Sequence, residues 1–436
     1  MKKLSLSSLI LISINIMLGS GVFINTAVLA QQTGSLSPLV YGIVGILLLP
    51  LVLGIIQLWK FSESGCTFYH FGLAISPFFG FLGSWSYFIG KICSFTLGIH
   101  VCVSLAQSII PILQSIPTLM FDILIISGCT ALNLLNLQAG IKIQYGFLVL
   151  KLIPIIFVII SGFYLFTGSY LYENIPNFSA IPATMPLVLY AFAGFESSCS
   201  LSGSIDDPEK NGPRAILFSY FLVIILLTLF QCMFYASVGP ALGSVKGGYL
   251  GVFPLLVNKL TENAYLKKIL VDIFHLGIAS SSLGSSYGVM FSNSWNLFAV
   301  AKNDHTFMKN VLVKLNENQV PYFCVLAQAF LSFLYLFITQ GNQIPLQQTG
   351  AFGMSIAYTI CSLSLLVMLY KREKKIKLLP VLSLISCLLL IASFVWNVYR
   401  LGISNLLVFF ALAMLCGTYM FYRKHEPKEL RVYEKI

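Results

Sequence analysis

The sequence predicts an all-α polytopic membrane protein with twelve transmembrane helices. Three observations carry that expectation. Of 436 residues, 57% are hydrophobic and only 9% are charged, whereas a soluble domain carries about a quarter charged residues. The apolar residues lie in long runs, and a spanning helix needs about 20 of them, so twelve use roughly 250 residues and leave short connections. The lysines and arginines gather in alternate connections, the asymmetry that sets membrane orientation. These features exclude a cytosolic enzyme, a secreted disulfide scaffold and a disordered chain. An outer-membrane barrel is excluded too, because its strands alternate polar and apolar residues.

The first apolar run, 7–31, follows Met1-Lys2-Lys3 and imitates a signal peptide, with Val28-Leu29-Ala30 before Gln31 resembling a cleavage site. Its apolar stretch from Leu4 to Ala30 exceeds the 7–15 residues of a signal core. It is therefore read as the first span. Further spans fall at 36–58, 77–107, 119–135, 141–167 and 184–203. The rest are 214–238, 269–300, 320–340, 348–370, 378–398 and 402–422, divided by Pro, Gly and polar residues. The longest interruption, 239–268, holds Gly243, Lys246, Gly247, Gly248 and Lys259. Its middle, Val252 to Leu260, is amphipathic and suited to the membrane surface.

Orientation follows from the basic residues. Lys246, Lys259, Lys267, Lys268 and Arg400 fall on one side, and Lys91 and Lys151 inside spans. The remaining 19 of 26 share the other side, among them Lys2, Lys3, those of the stretch 371–377 and Lys435. Both termini are expected in the cytoplasm, with the chain in a plasma membrane, a bacterial inner membrane by its Ile-, Phe- and Lys-rich style. The net charge of +11 is read as this topology signal, with some attraction to anionic lipid, and not as a nucleic-acid footprint. Ten scattered cysteines without a CxxC pair predict neither a metal site nor a disulfide framework. They read as small apolar packing residues.

Glycine interrupts two spans at mid-length. The first reads Asn15-Ile16-Met17-Leu18-Gly19-Ser20-Gly21-Val22-Phe23, the sixth Tyr190-Ala191-Phe192-Ala193-Gly194-Phe195-Glu196-Ser197-Ser198. Glycine costs a helix about 1 kcal/mol relative to alanine. Broken helices in corresponding places of two halves point to a transporter site, where unwound backbone offers N–H and C=O groups to a polar ligand. The same glycines would equally let helices pack closely. The pattern alone leaves these two readings level.

Six motifs in order then resemble the amino acid–polyamine–organocation (APC) superfamily of transporters. Gly19-Ser20-Gly21-Val22-Phe23 is similar to its broken first helix, and Glu63-Ser64-Gly65-Cys66-Thr67-Phe68-Tyr69 to its cytoplasmic ESGG-x-Y-x-Y stretch. Gly80-Phe81-Leu82-Gly83-Ser84-Trp85 resembles GF-x-x-GW, and Phe192-Ala193-Gly194-Phe195-Glu196-Ser197 the sixth-helix F-x-GFES. The stretch from Asp207 to Ala215 resembles NP-x-R-x-x-PRA, and Asn316 to Pro321 the N-x-x-x-x-P before helix nine. The resemblance implies a LeuT-like fold within one domain, 1–436. Two inverted repeats of five helices, 7–167 and 184–370, would be followed by two peripheral helices at 378–422. Leu283-Gly284-Ser285 with Gly288, then Ala301-Lys302-Asn303-Asp304, most resembles the basic amino acid/polyamine, arginine/agmatine antiporter branch. Three departures stand out: Cys66 for the second glycine, Asn25-Thr26 where a proline is usual, and Val289 where that branch carries a stacking tryptophan.

The resemblance implies a substrate site of Ile16, Gly19, Ser20, Gly21 and Val22 facing Tyr190, Phe192, Ala193 and Gly194, with Val289 alongside. N–H groups around Gly19–Gly21 would hold a carboxylate and carbonyls near Phe192–Gly194 an amino group, the signs that helix ends favour. Tyr190 resembles the family's aromatic lid, although an aromatic packing role fits a chain with 35 Phe and 21 Tyr. Glu196 and Lys151 are ionisable residues inside apolar spans, which by default mark function. Both are candidate proton-coupling groups, with structural hydrogen bonding or ion pairing as the alternative. In sodium-independent relatives a lysine matching Lys151 stands where sodium sits in sodium-coupled ones. Lys91, where the antiporter branch has asparagine, is left open between facing substrate and pairing with Asp122 or Glu196. Asp122 is read as a cap for the outer end of the fourth helix. His100 and His275 read as packing residues, and Asp272 and His275 share a helix face.

The expected function is secondary active transport of amino acids or related amines by alternating access, through proton-coupled symport or substrate exchange. The two intramembrane lysines favour a neutral substrate. No metal site, cofactor or catalytic cluster is expected. The partners are the small-molecule substrate, protons and membrane lipid, without nucleic acid, and a homodimer is left open. The second reading is a non-transporting amino acid sensor with the same fold, disfavoured because only about 14 residues follow Tyr422.

Overall fold

The first apolar run folds as two helices, α1 (Leu6–Met17) and α2 (Ser20–Thr33), divided at Leu18 and Gly19. In the computed structural model, which describes residues 3–61, 67–135, 137–172, 177–306, 308–373 and 377–425, Gly19 is extended (φ −100°, ψ −156°) and ends the first ladder. Then come α3 (Val40–Phe61), the short α4 (Phe68–Gly72), α5 (Pro77–Ile109), α6 (Thr118–Asn133) and α7 (Leu137–Tyr164). The sixth run breaks as well, into α8 (Ile181–Phe192) and the one-turn α9 (Ser197–Ser200). Gly194, between them, has φ +146°, a conformation essentially restricted to glycine. The chain continues through α10 (Pro208–Val238), α11 (Tyr249–Leu260), α12 (Ala264–Lys302), α13 (Lys309–Leu312) and α14 (Tyr322–Thr339). It ends with α15 (Gln343–Glu373), α16 (Leu378–Leu401) and α17 (Asn405–His425). The Glu63–Cys66 part of the cytoplasmic motif lies outside the described residues, as do Lys2, Lys374, Lys375, Lys428, Arg431 and Lys435.

Among the described residues there is no strand; a bridge between Leu4 and Ile205 pins the start of α1 beside the segment that follows α9. Nine helical stretches among the described residues are long and apolar enough to cross a membrane, with α2 and α3 counted as one continuous stretch. The helices α1, α6, α8 and α11 are apolar but shorter. The breaks explain two of them, because each divides a run otherwise long enough to span.

Helix α5 is buried along most of its length and packs against α12 and α15. Small residues allow this closeness: a Cβ on Gly90 would lie 3.0 Å from the backbone of Gly353. On α7 the exposed residues Val149, Ile153, Ile156, Ile160 and Phe163 recur at helical spacing, an apolar stripe suited to lipid contact. Helix α11 turns Val252, Phe253, Leu256 and Val257 inward, so its apolar face is committed to protein and not to the membrane surface. At the end of α12, Asp304 accepts a hydrogen bond from Lys424 and pairs with Lys309 at 3.6 Å. The bond from Lys424, reinforced by both positive charges, holds the Asp304 carboxyl below the usual carboxylate range.

Candidate functional site

The two breaks face one another across a small cavity. It is lined by Ile16, Gly19, Ser20, Gly21, Tyr190, Ala193 and Val289, as expected from the sequence, and by Met17, Ser94 and Ser285. Its volume is about 20 Å³, against the 10–15 Å³ of the same kind that a single water needs, roughly. An amino acid does not fit without movement, so the conformation is closed around the site. Tyr190 crosses the cavity, its hydroxyl 3.4 Å from both Ser20 Oγ and the Ser94 carbonyl. Helix α2 begins here with no side-chain cap. Its first N–H groups, with the positive end of the helix dipole, thus point towards the cavity end of the break.

The matching carbonyl end of α1 is occupied by a lysine. Lys151 on α7 donates to the Asn15 carbonyl at 2.7 Å and the Leu18 carbonyl at 2.8 Å, with the Ser281 carbonyl at 3.4 Å. Ser281 Oγ donates to the same Leu18 carbonyl at 2.9 Å. Lys151 is fully buried. The break creates the orphan carbonyls and the lysine satisfies them. Behind it, Asn15 Nδ2 donates to the Gly284 carbonyl at 2.9 Å and Gln144 Oε1 at 3.3 Å, which binds α1 to α12 and α7.

Glu196 sits at the other break. Its Oε2 accepts the Gly194 N–H at 2.8 Å, and its Oε1 accepts from the Tyr87 hydroxyl at 2.8 Å and Lys91 at 3.0 Å. The structure thus pairs Lys91 with Glu196 and not with Asp122. Asp122 does not cap α6 either; it lies inside that helix and its carboxylate is 2.8 Å from His100 Nδ1. No hydrogen bond joins Asp272 to His275 among the described residues.

Three expected site residues do not line the cavity. Val22 is one position past Gly21 and points into the core. Phe192 turns away, its ring 5.9 Å from Tyr41 and 6.0 Å from Tyr220. Gly194 is pressed on α1, where a Cβ would lie 2.7 Å from Ile16 Cγ2 and 3.0 Å from the Met17 nitrogen. Close packing, one of the two level readings of the sequence, and chain breaking therefore occur at the same glycine. The departure at Asn25 also has a use: its amide donates to the Leu187 carbonyl at 2.8 Å and accepts from Gln347 at 3.0 Å, tying α2 to α8 and α15.

A family model described as amino acid permease covers residues 4–421. The chain belongs to the amino acid permease family. It is an integral membrane protein of the APC superfamily, a group of transporters and not of enzymes. Among relatives of this permease, the amino-acid permease RocE of Bacillus subtilis is 27% identical over 84% of the chain and 80% of its own length. The aromatic amino acid permease FywP of Lactococcus lactis is 22% identical over 95% and 94%. The gamma-aminobutyric acid permease of Escherichia coli is 23% identical over 74% and 70%.

In this permease Asn15 and Ser285 stand in motifs quoted above without a role given to them, and Ser94, Gln144 and Ser281 were not singled out. The signal available was the serine-rich Ser280-Ser281-Ser282 and Ser285-Ser286 of the eighth span, polar residues in a costly place.

Proposed function

We propose that this permease is a secondary active transporter that carries a neutral amino acid by alternating access through twelve spans. In this reading 7–167 and 184–370 are inverted repeats, 378–422 is peripheral, and both termini are cytoplasmic. The observation that carries it is the closed cavity between the two helix breaks, with an uncapped helix N-terminus at its wall. The first-turn N–H groups of α2 hold the substrate carboxylate, and backbone near Ala193 holds the amino group. Tyr190 lies over the bound substrate as a lid. Relatives named for aromatic amino acids, for gamma-aminobutyric acid and for amino acids at large support an amino acid substrate and no finer class. Val289 in the cavity wall offers a guanidinium no stacking surface, which counts against arginine–agmatine exchange.

Lys151 is the proton-coupling group. Its ammonium braces α7 and α12 on the carbonyl end of α1, and losing the proton turns three donors into a neutral amine that releases the brace. A sodium ion at the same carbonyls would meet the ammonium in a low-dielectric site, so transport needs no sodium. Glu196 is a second proton-coupling candidate, but it can take a proton only when Lys91 moves away, which ties any proton exchange there to opening.

Uptake of labelled alanine, leucine and phenylalanine into proteoliposomes tests this reading. Uptake is expected to be saturable and sodium-independent, and to rise with an inward proton gradient or with internal unlabelled amino acid. Binding without uptake under every condition would favour the sensor.

A further inference from the structure

Lys91 enters the scheme above only as the partner of Glu196, yet a lysine buried in a membrane span is a costly side chain. The buried Lys, Arg, Asp and Glu residues among those described are Lys91, Asp122, Lys151 and Glu196. Asp122 is committed to His100. The charges next to the cavity are therefore Lys91, Lys151 and Glu196. Lys91 lies one helical turn before Ser94 on α5, and Glu196 holds the N–H of Gly194, the residue after Ala193. Ser94 and Ala193 both line the cavity. A lone carboxylate this close would attract a cationic ligand. Lys91 removes that attraction, and it is fixed in place: its Nζ lies 3.0 Å from Glu196 Oε1, 3.7 Å from Met354 Sδ and 5.6 Å from the Tyr87 ring centre.

We propose that Lys91 is a charge filter: by cancelling Glu196 beside the cavity, it makes the site select amino acids without net charge over cationic amino acids and amines. The proposal rests on the substrate site described above and names its substrate class. A buried ion pair is poor evidence for stability, since apolar residues of like volume often serve as well. A role in specificity gives the pair a reason to be there. With Lys91 the three charges sum to +1 when Lys151 is protonated; without Lys91 they sum to zero with the carboxylate uncompensated. At an effective dielectric near 20, one unit charge about 10 Å away is worth on the order of tenfold in affinity.

The experiment compares wild type, Lys91→Met, Glu196→Gln and the double variant by ligand-induced thermal stabilisation, which reads binding whether or not the protein transports. The probes are alanine, leucine and phenylalanine against lysine and agmatine. The preference for neutral over cationic probes is expected to fall about tenfold in Lys91→Met, to rise in Glu196→Gln, and to return to the wild-type value in the double variant. A merely structural pair would not move the two single variants in opposite directions. If Lys91→Met does not fold, the Glu196→Gln and double-variant ratios still decide. A wild type that prefers lysine, an unchanged ratio in folded Lys91→Met, or a double variant with lost preference overturns the filter. A wild type that binds none of the probes overturns the substrate site itself, which separates the two failures.

Discussion

Gly194 holds φ at +146° while its Cα faces Ile16 and Met17 of α1. A side chain there meets both strain and contact. Gly194→Ala is expected to cost about 1–3 kcal/mol for the backbone alone, visible as a lower melting temperature in detergent. Gly203→Ala, with nothing within 4 Å of an added Cβ, is the control, and equal melting temperatures in the two would count against this account of the break. Gly21 presents a different obstacle: an added Cβ lies 2.9 Å from the Tyr190 ring and 3.1 Å from the Ala191 Cα. Gly21→Val is expected to abolish substrate-induced stabilisation in a protein that still folds, and normal affinity would remove Gly21 from the site. Residues of this kind were legible in the sequence because glycine and charge are costly in an apolar span. Ser285 was less so, despite its serine-rich surroundings, because a membrane serine can satisfy itself on its own helix, as Ser285 does on the Ser282 carbonyl at 3.0 Å. The partner of Lys91 was illegible for another reason: a lysine advertises its need for an anion, but Asp122 and Glu196 were both available until the fold chose.

Among the elements, α11 shows how periodicity reveals a face but not what covers it. Its amphipathic pattern was plain, yet Phe253 inserts among Phe23, Phe234 and Phe274, at ring distances of 6.2, 5.5 and 5.0 Å. Because Phe23 belongs to α2, the connection 239–268 is packed onto the broken first helix. Phe253→Ala is expected to cost about 3–5 kcal/mol locally. Hydrogen exchange over Tyr249–Leu260 would then speed up ahead of the membrane core, whereas unchanged exchange there would mean that α11 is held by other contacts. The breaks were better predicted, since glycine among polar residues marks where an intramembrane helix stops. The shortness of α6, which ends at Asn133 with Asn133 Nδ2 bonded back to the Cys129 carbonyl at 2.9 Å, was legible too, since the span expected at 119–135 is itself short.

For the whole molecule, the class was legible from charge content and run length, because bulk solvation decides it. The arrangement of the two halves rests on two breaks five spans apart and on the family likeness. Orientation rests on the basic residues, and Ser244, exposed in the connection 239–268, tests it. A cysteine placed there, in a background without native cysteines, is expected to react with an impermeant thiol reagent added outside; labelling from the cytoplasmic side only would invert the assignment. In the proposed scheme the two halves meet at Lys151, which reaches from α7 to the carbonyls of α1 and α12. The most direct measurement is the pH dependence of amino acid uptake into proteoliposomes by wild type and Lys151→Arg, under an imposed inward proton gradient without sodium. Arginine does not deprotonate in proteins, so the variant is expected to insert and bind substrate but lose gradient-driven uptake at every pH. Lys151→Arg that transports with the wild-type pH profile, or wild type that transports only with sodium, would contradict the account.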